Sequence, residues 1–292
     1  MNRATYPMPD CNIEQIRAVI AKAMGQTSLR EEIERFGAAV DGGKMLRGRL
    51  VLEVGRAAGT TETQLEQLAA AVELLHAASL MHDDIVDGGT ERRHRDAMWI
   101  SEGTKAAVLI GDLMLSVALG LVQAGNAARI PMLTHALAEM CDAEAEQEFA
   151  SGAHLDSWED CVRIARRKTG SLFGLAAACA AGSDAALATA LESAGRDLGT
   201  AYQLADDMLD VSPDPALATG KSLGTDAATG KLTAASASAV EGTDPGAVIA
   251  DLLASAEAAL TEWPPVQEAW RDFIGRTIHP LINQFTGNGA LV

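Results

Sequence analysis

Two short acidic segments, Asp83-Asp84-Ile85-Val86-Asp87 and Asp206-Asp207-Met208-Leu209-Asp210, share the spacing DDxxD, and each lies in an alanine- and leucine-rich run. That pairing constrains the fold more than any other feature of the chain. At about 3.6 residues per helical turn, Asp83 and Asp87 stack one turn apart on one face, as do Asp206 and Asp210, so each pair aims its carboxylates at a common point. Like charges so placed repel unless a cation lies between them. Hard oxygen donors with room left for water suit Mg²⁺, which commonly takes one or two protein carboxylates and fills its other positions from substrate phosphates. A solvated helix face would explain one such cluster. The matched spacing of two favours a metal site with two helices gripping a diphosphate between them.

The remainder of the chain has to supply helices that hold those two in place. With 48% hydrophobic residues, only 4% aromatics and few β-branched runs, the composition favours helix over sheet. Hydrophobic periodicity predicts helices over roughly 11–24, 29–40, 45–58, 62–87, 104–125, 129–150, 156–181, 184–211, 245–262 and 266–286, and no strand. The expected architecture is all-α, with one domain over residues 1–292. Breaks coincide with glycine and proline, as at Gly42-Gly43, Gly88-Gly89, Gly125-Asn126 and Gly182-Ser183. Only 212–244, with Pro213, Pro215 and several glycines, reads as a long loop, and it is the expected lid.

A formal charge of −17 argues against nucleic acid or an anionic membrane as partner. The longest uncharged run, Leu113 to Ala128, falls short of a spanning helix and is flanked by Asp112 and Arg129, so no stable membrane insertion and a cytoplasmic location are expected. Cys11, Cys141, Cys161 and Cys179 are widely spaced and fit no metal-ligand pattern, which points to buried free thiols in a reducing compartment.

An acidic protein that binds a diphosphate needs focused cations. Asp41-Gly42-Gly43-Lys44-Met45-Leu46-Arg47-Gly48-Arg49 sets a lysine and an arginine at a helix start, where free N–H groups and the dipole favour anions. His76 lies seven residues before Asp83 on the same face, although a lone histidine on an apolar face is as a rule a core residue. After the first acidic segment comes Arg92-Arg93-His94-Arg95, whose guanidinium forks recognise phosphate bidentately. Lys168 and Thr169 sit inside a helical stretch, Tyr202-Gln203 precede the second acidic segment, and Lys221 and Lys231 follow it.

Taken together these segments resemble the trans-isoprenyl diphosphate synthases of the polyprenyl synthetase family, from Gly42 to about Thr233. Gly42-Gly43-Lys44 through Arg47 is similar to the family's GGKxxRP, Glu73 to His76 to its ExxH, and Asp83 to Arg93 to DDxxDxxxxRR; Lys168-Thr169, Gln203 with Asp206 to Asp210, and Gly220-Lys221 through Gly230-Lys231 complete the set. The resemblance implies that Asp83, Asp87 and Asp206 bind Mg²⁺, with Asp84 and Asp210 in support. It implies that Arg92, Lys168, Lys221 and Lys231 hold an allylic diphosphate and that Lys44, Arg47, His76 and Arg93 hold isopentenyl diphosphate. Thr169 and Gln203 would line the reacting centre; the resemblance also implies a single large helical bundle of about ten or more helices around a central cavity, of the isoprenoid synthase type, assembled as a homodimer. The chain departs from the pattern at Gly48, where proline is usual, at His94, where glycine is common, and at Ala143, where glycine usually precedes Glu144.

The implied reaction is condensation to a longer all-trans polyprenyl diphosphate. Ala78 and Ser79, five and four positions before Asp83, are small, so a product above fifteen carbons is expected. Two other readings stay open: a terpene synthase that cyclises one allylic diphosphate, and a non-catalytic subunit of a heteromeric synthase. Lys44, Arg47, His76 and Arg93, a second diphosphate set, count against the first, and two intact acidic segments count against the second.

Overall fold

Almost all regular structure in the chain is helical. A computed structural model describes residues 13–27, 43–92, 95–149, 157–210 and 232–286, the side chains of 210 and 284–286 excepted. Helix α1 spans Ile13–Met24, α2 Leu46–Ala57 and α3 Glu62–Val86; after a short hairpin come α4 (Met98–Ser101), α5 (Thr104–Asn126) and α6 (Ile130–Phe149). Helices α7 (Trp158–Ala165) and α8 (Ser171–Ala180) are joined by a π-helical turn, Arg166–Gly170, and α9 runs from Ala185 to Asp210. Then follow α10 (Ala234–Glu241), α11 (Pro245–Ala258), α12 (Pro264–Phe273), a second π turn (Ile274–Ile278) and α13 (His279–Thr286).

Local chemistry sets several of these ends. Ser157 accepts a hydrogen bond from the Asp160 N–H at the start of α7, and Asp244 accepts from Gly246 with Pro245 in the first turn of α11, each satisfying a donor that the helix itself leaves open. Helix α10 ends at Gly242, whose φ of 68° only glycine adopts without strain. Met45, just before α2, takes φ 47° and is the one non-glycine with positive φ among the described residues.

The buried side chains form one contiguous cluster running from Ile16 to Ile282. Helix α8, Ser171–Ala180, is buried along its whole length and packs against both α3 and α9, so it separates and fixes the helices that carry the two acidic segments. Small residues let α9 come close: a Cβ at Gly195 would lie 2.4 Å from the Phe173 carbonyl oxygen, and one at Gly199 would lie 2.8 Å from the Gly170 Cα.

Three expectations need correction. Glu91–Arg92 and Arg95–Asp96 pair as a two-stranded antiparallel hairpin, too short to show a period in sequence. The stretch expected as loop contains α10, started by a capping box in which Thr233 and Ser236 satisfy each other's backbone N–H groups. By length and composition, the helical stretch Thr104–Phe149 is also apolar enough to cross a membrane, because apolar helix continues on both sides of Asp112. Its exposed apolar side chains include Val108, Leu119 and Leu109, the last 63% exposed. The expected helix over 29–40, most of the 212–244 segment and Cys11 lie outside the described residues. Cys141, Cys161 and Cys179 are free thiols; Cys161 and Cys179 are buried as expected, whereas Cys141 is exposed on α6.

Candidate active site

The C-terminal turn of α3 presents the first acidic segment. Asp87 N–H donates to the Asp83 carbonyl at 2.8 Å, so the two side chains stand one turn apart, as their spacing requires. Asp83 is half-buried, and burial pushes its carboxyl up to about 7; Glu144 and Asp87 add to the rise, while Lys168 and Arg92 oppose it. One carboxylate therefore shares its surroundings with two others and two cations. Asp84, between them in sequence, does something different. It is buried, and both its oxygens accept hydrogen bonds from Arg92, with Nε at 2.7 and 2.9 Å and one terminal nitrogen at 2.6 Å. The hairpin at 91–96 brings that guanidinium back onto α3, braced by Trp99 Nε1–H donating to the Gly89 carbonyl at 2.7 Å.

The π turn carries Lys168 and Thr169 between the two acidic helices. Lys168 is ion-paired with Glu144 of α6, and its Nζ lies 3.4 Å from Gln147 Oε1. The Thr169 hydroxyl donates to Gln203 Oε1 at 2.7 Å, and Gln203 Nε2 donates to Asp207 Oδ1 at 2.7 Å. Asp207 Oδ2 in turn accepts the first N–H of α10, from Ala234, at 3.0 Å. Asp207 thus anchors α10 and orients Gln203. A π turn widens the helix by one residue, and such turns recur at functional sites because they redirect side chains without ending the helix.

On the far side of α8, Arg47 is only 9% exposed and stacks over the Phe173 ring, 4.4 Å from its centroid. Burial lowers its affinity for the proton, while the neighbouring Glu73 carboxylate and Tyr202 raise it. Burial likewise pushes the Tyr202 phenol up, Asp206 adding to the rise and Arg47 opposing it. The chain of neighbours is therefore continuous: Asp83 to Lys168 and Thr169, to Gln203 and Asp206, to Tyr202 and Arg47, and back to α3 through Glu73. Lys44 precedes α2 and is exposed, and His76, half-buried, follows Glu73 by one turn. Arg93, Lys221 and Lys231 lie outside the described residues, as does the side chain of Asp210.

Sequence reasoning missed Glu144 and Gln147, three residues apart on α6, which were legible only as an acidic run behind Ala143. It also missed Phe173, an apolar residue whose role depends on the cation above it. Among the described residues no three His, Cys, Asp or Glu side chains converge to hold a metal by themselves. An ion such as Mg²⁺ draws most of its ligands from water and substrate phosphates and needs few from protein. Asp83, half-buried near Asp87 and Glu144, supplies the hard anionic oxygens such an ion neutralises.

The sequence matches the polyprenyl synthetase family over residues 32–266 of 292. The chain belongs to that family. It is 33% identical over 257 residues to the geranylgeranyl diphosphate synthase of Mycobacterium tuberculosis, covering 85% of this chain and 73% of that protein. It is 36% identical over 196 residues to the octaprenyl diphosphate synthase of Haemophilus influenzae, covering 66% of this chain and 59% of that protein. Among solved structures, a polyprenyl synthase from Caulobacter crescentus, complexed with calcium and isoprenyl diphosphate, superposes with a TM-score of 0.73 at 28% identity, covering 89% of this chain and 93% of that one. The protein is accordingly a prenyltransferase of the trans-prenyl diphosphate synthase type, and its bundle is the isoprenoid synthase fold. Relatives that make farnesyl, geranylgeranyl and octaprenyl products all match, so product length has to be argued from the residues of this polyprenyl synthetase itself.

Proposed function

We propose that the protein condenses an allylic diphosphate with isopentenyl diphosphate, by Mg²⁺-assisted ionisation, to give a longer all-trans polyprenyl diphosphate above fifteen carbons. The observation that carries this reading is the π turn, whose Lys168 acts on Asp83 while the adjacent Thr169 bonds Gln203, one turn before Asp206. Asp83, Asp87 and Asp206 would hold Mg²⁺, which when bound stabilises the charge developing on the departing diphosphate. Arg92 and Lys168, with Lys221 and Lys231, would bind the allylic diphosphate; Lys44, Arg47, His76 and Arg93 would bind isopentenyl diphosphate. Asp84 fixes the Arg92 guanidinium, and Asp207 fixes the Gln203 amide, so both reach the substrate preoriented. Buried Phe173, Leu75 and Ala78 exclude water from the cationic carbon.

Length is read from α3. Ala78 is buried, and the Ser79 hydroxyl folds back onto the His76 carbonyl at 2.9 Å, so neither adds bulk one turn before Asp83. Each further five-carbon unit needs about one helical turn of depth, ~5.4 Å. The exposed Val108, Leu109 and Leu119 on α5 are read as the face covered by a second copy in a cytoplasmic homodimer. Purified protein supplied with isopentenyl diphosphate, Mg²⁺ and primers of ten, fifteen and twenty carbons tests the whole reading by mass spectrometry. Products beyond fifteen carbons are expected, together with loss of turnover in Asp83→Ala and Asp206→Ala; cyclised hydrocarbon without isopentenyl incorporation would overturn it.

A further inference from the structure

In this chain the helix that presents Arg47 begins in an unusual way. Gly48 is the third residue of α2, and its N–H is one of the first-turn donors that have no partner inside a helix. That N–H donates to the Glu73 Oε1 of α3 at 2.7 Å, and the contact is buried. The family pattern has proline at this position, and proline carries no N–H to donate. The pocket has been shaped around glycine: a Cβ at position 48 would lie 2.8 Å from Ile16 Cδ1 and 3.1 Å from Glu73 Cγ. Immediately before it, Arg47 is clasped between the Phe173 ring and the field of the same Glu73 carboxylate, and its buried Nε has no hydrogen-bond partner.

We propose that Glu73 is a positioning residue for the homoallylic diphosphate site: by capping the Gly48 N–H it locks the first turn of α2, and so the Arg47 guanidinium, doing by a hydrogen bond what proline's fixed φ does in the family pattern. The inference rests on the reading that Arg47 binds isopentenyl diphosphate. Glu73 makes no contact with substrate in this scheme. Its carboxylate sits at a helix N-terminus, where the dipole favours an anion, and its second influence is on the charge of Arg47.

Steady-state kinetics on the whole enzyme with both substrates test it. Glu73→Ala leaves a buried N–H unsatisfied, and the KM for isopentenyl diphosphate should rise roughly ten-fold with the KM for the allylic substrate unchanged. Glu73→Gln keeps an acceptor oxygen without the charge and should stay within about three-fold of the parent. The double variant Glu73→Ala/Gly48→Pro removes both donor and acceptor; the vacated Glu73 Cγ and a shift of the flexible Ile16 Cδ1 end make room for the ring, and it should recover most of the loss. If Glu73→Ala does not fold, Glu73→Asp carries the test: it keeps the charge but draws the carboxylate away from the Gly48 N–H, and should raise the same KM selectively. The inference is overturned if Glu73→Gln is as impaired as Glu73→Ala, if both KM values rise together, or if the folded double variant recovers nothing. Arg47→Lys separates the two levels. An unchanged isopentenyl diphosphate KM in Arg47→Lys sinks the site reading, whereas a raised value there alongside a normal Glu73→Ala sinks only the cap.

Discussion

Replacing Gly199 by alanine should separate catalysis from stability. A Cβ at that position would lie 2.8 Å from Gly170 Cα, 2.9 Å from Phe173 Cβ and 3.0 Å from Phe173 Cδ2. Carbon atoms in contact sit ~3.5–4.0 Å apart, so α9 must move from the π turn by about 1 Å. Backbone lies on one side and a fully buried ring on the other, which leaves no flexible chain end to yield. Overpacking of this kind costs about 1–3 kcal/mol, and the gain in helix propensity from glycine to alanine offsets ~1 kcal/mol of it. The net loss, about 1 kcal/mol, lowers the midpoint of a domain this large by roughly 2–4 °C. The functional loss is larger. Gly170 adjoins Thr169, and Gly199 precedes Gln203 by one turn, so the same displacement stretches the 2.7 Å Thr169–Gln203 bond beyond hydrogen-bonding range. Misplacement by ~1 Å can cost about a hundred-fold in rate, and a fall in kcat of at least about ten-fold is expected with the fold intact. Gly275→Ala is the control, because a Cβ there meets nothing within 4 Å. Thermal melts and steady-state kinetics on the two variants decide the matter: if Gly199→Ala keeps a kcat within about two-fold of Gly275→Ala, the close helix approach does not set the reacting geometry.

Three further outcomes follow from single contacts. Asp83 has a folded pKa raised to about 7, so the native state holds its proton more tightly than the unfolded chain. Its stabilising contribution in metal-free protein is full below the unfolded value of 3.8 and is lost as pH rises through about 7; thermal melts in chelator should show the midpoint falling between about pH 4 and 7, and Asp83→Asn should flatten that slope. Asp84→Ala removes both acceptors of the Arg92 guanidinium and should cost about 1–3 kcal/mol in denaturant melts while raising the KM for the allylic diphosphate. Leu109→Asp, on the exposed face of α5, should convert a dimer to a monomer in sedimentation runs; an unchanged sedimentation coefficient would place the interface elsewhere.

The bundle was legible because alanine and leucine repeat at helical spacing with glycine and proline at the breaks, and the two acidic segments did fall at the ends of long helices. What sequence could not distinguish was one aspartate from the next. Asp83 and Asp84 are adjacent and identical in type, yet one meets other carboxylates and the other is occupied by Arg92, because the hairpin folds that arginine back over α3. Asp207 shows the same limit, since its partners are Gln203 and a backbone N–H of α10, a helix that alanine and serine between glycines and threonines disguised as loop. The π turn at 166–170 was invisible for a different reason: periodicity over a window averages out a single extra residue.

The charge balance of the site explains how so acidic a protein can accept diphosphates. Three of the cations with an expected role already have a carboxylate next to them: Arg92 has Asp84, Lys168 has Glu144, and Arg47 has Glu73. A basic pocket open to solvent would attract any anion, and these pairings prevent that in the free protein. They also mean that a diphosphate arriving alone meets compensated cations and the carboxylates of Asp83 and Asp87 together, against a net charge of −17. On the proposed reading, cation neutralisation of Asp83, Asp87 and Asp206 would reverse the local sign and leave the guanidinium and ammonium groups in excess. On this argument binding of the allylic substrate is conditional on the metal. In calorimetric titrations a substrate analogue should bind with Mg²⁺ present and give no measurable heat in chelator; equal affinity in both would mean that the arginine and lysine side chains suffice and that the carboxylate pairings do not gate the site.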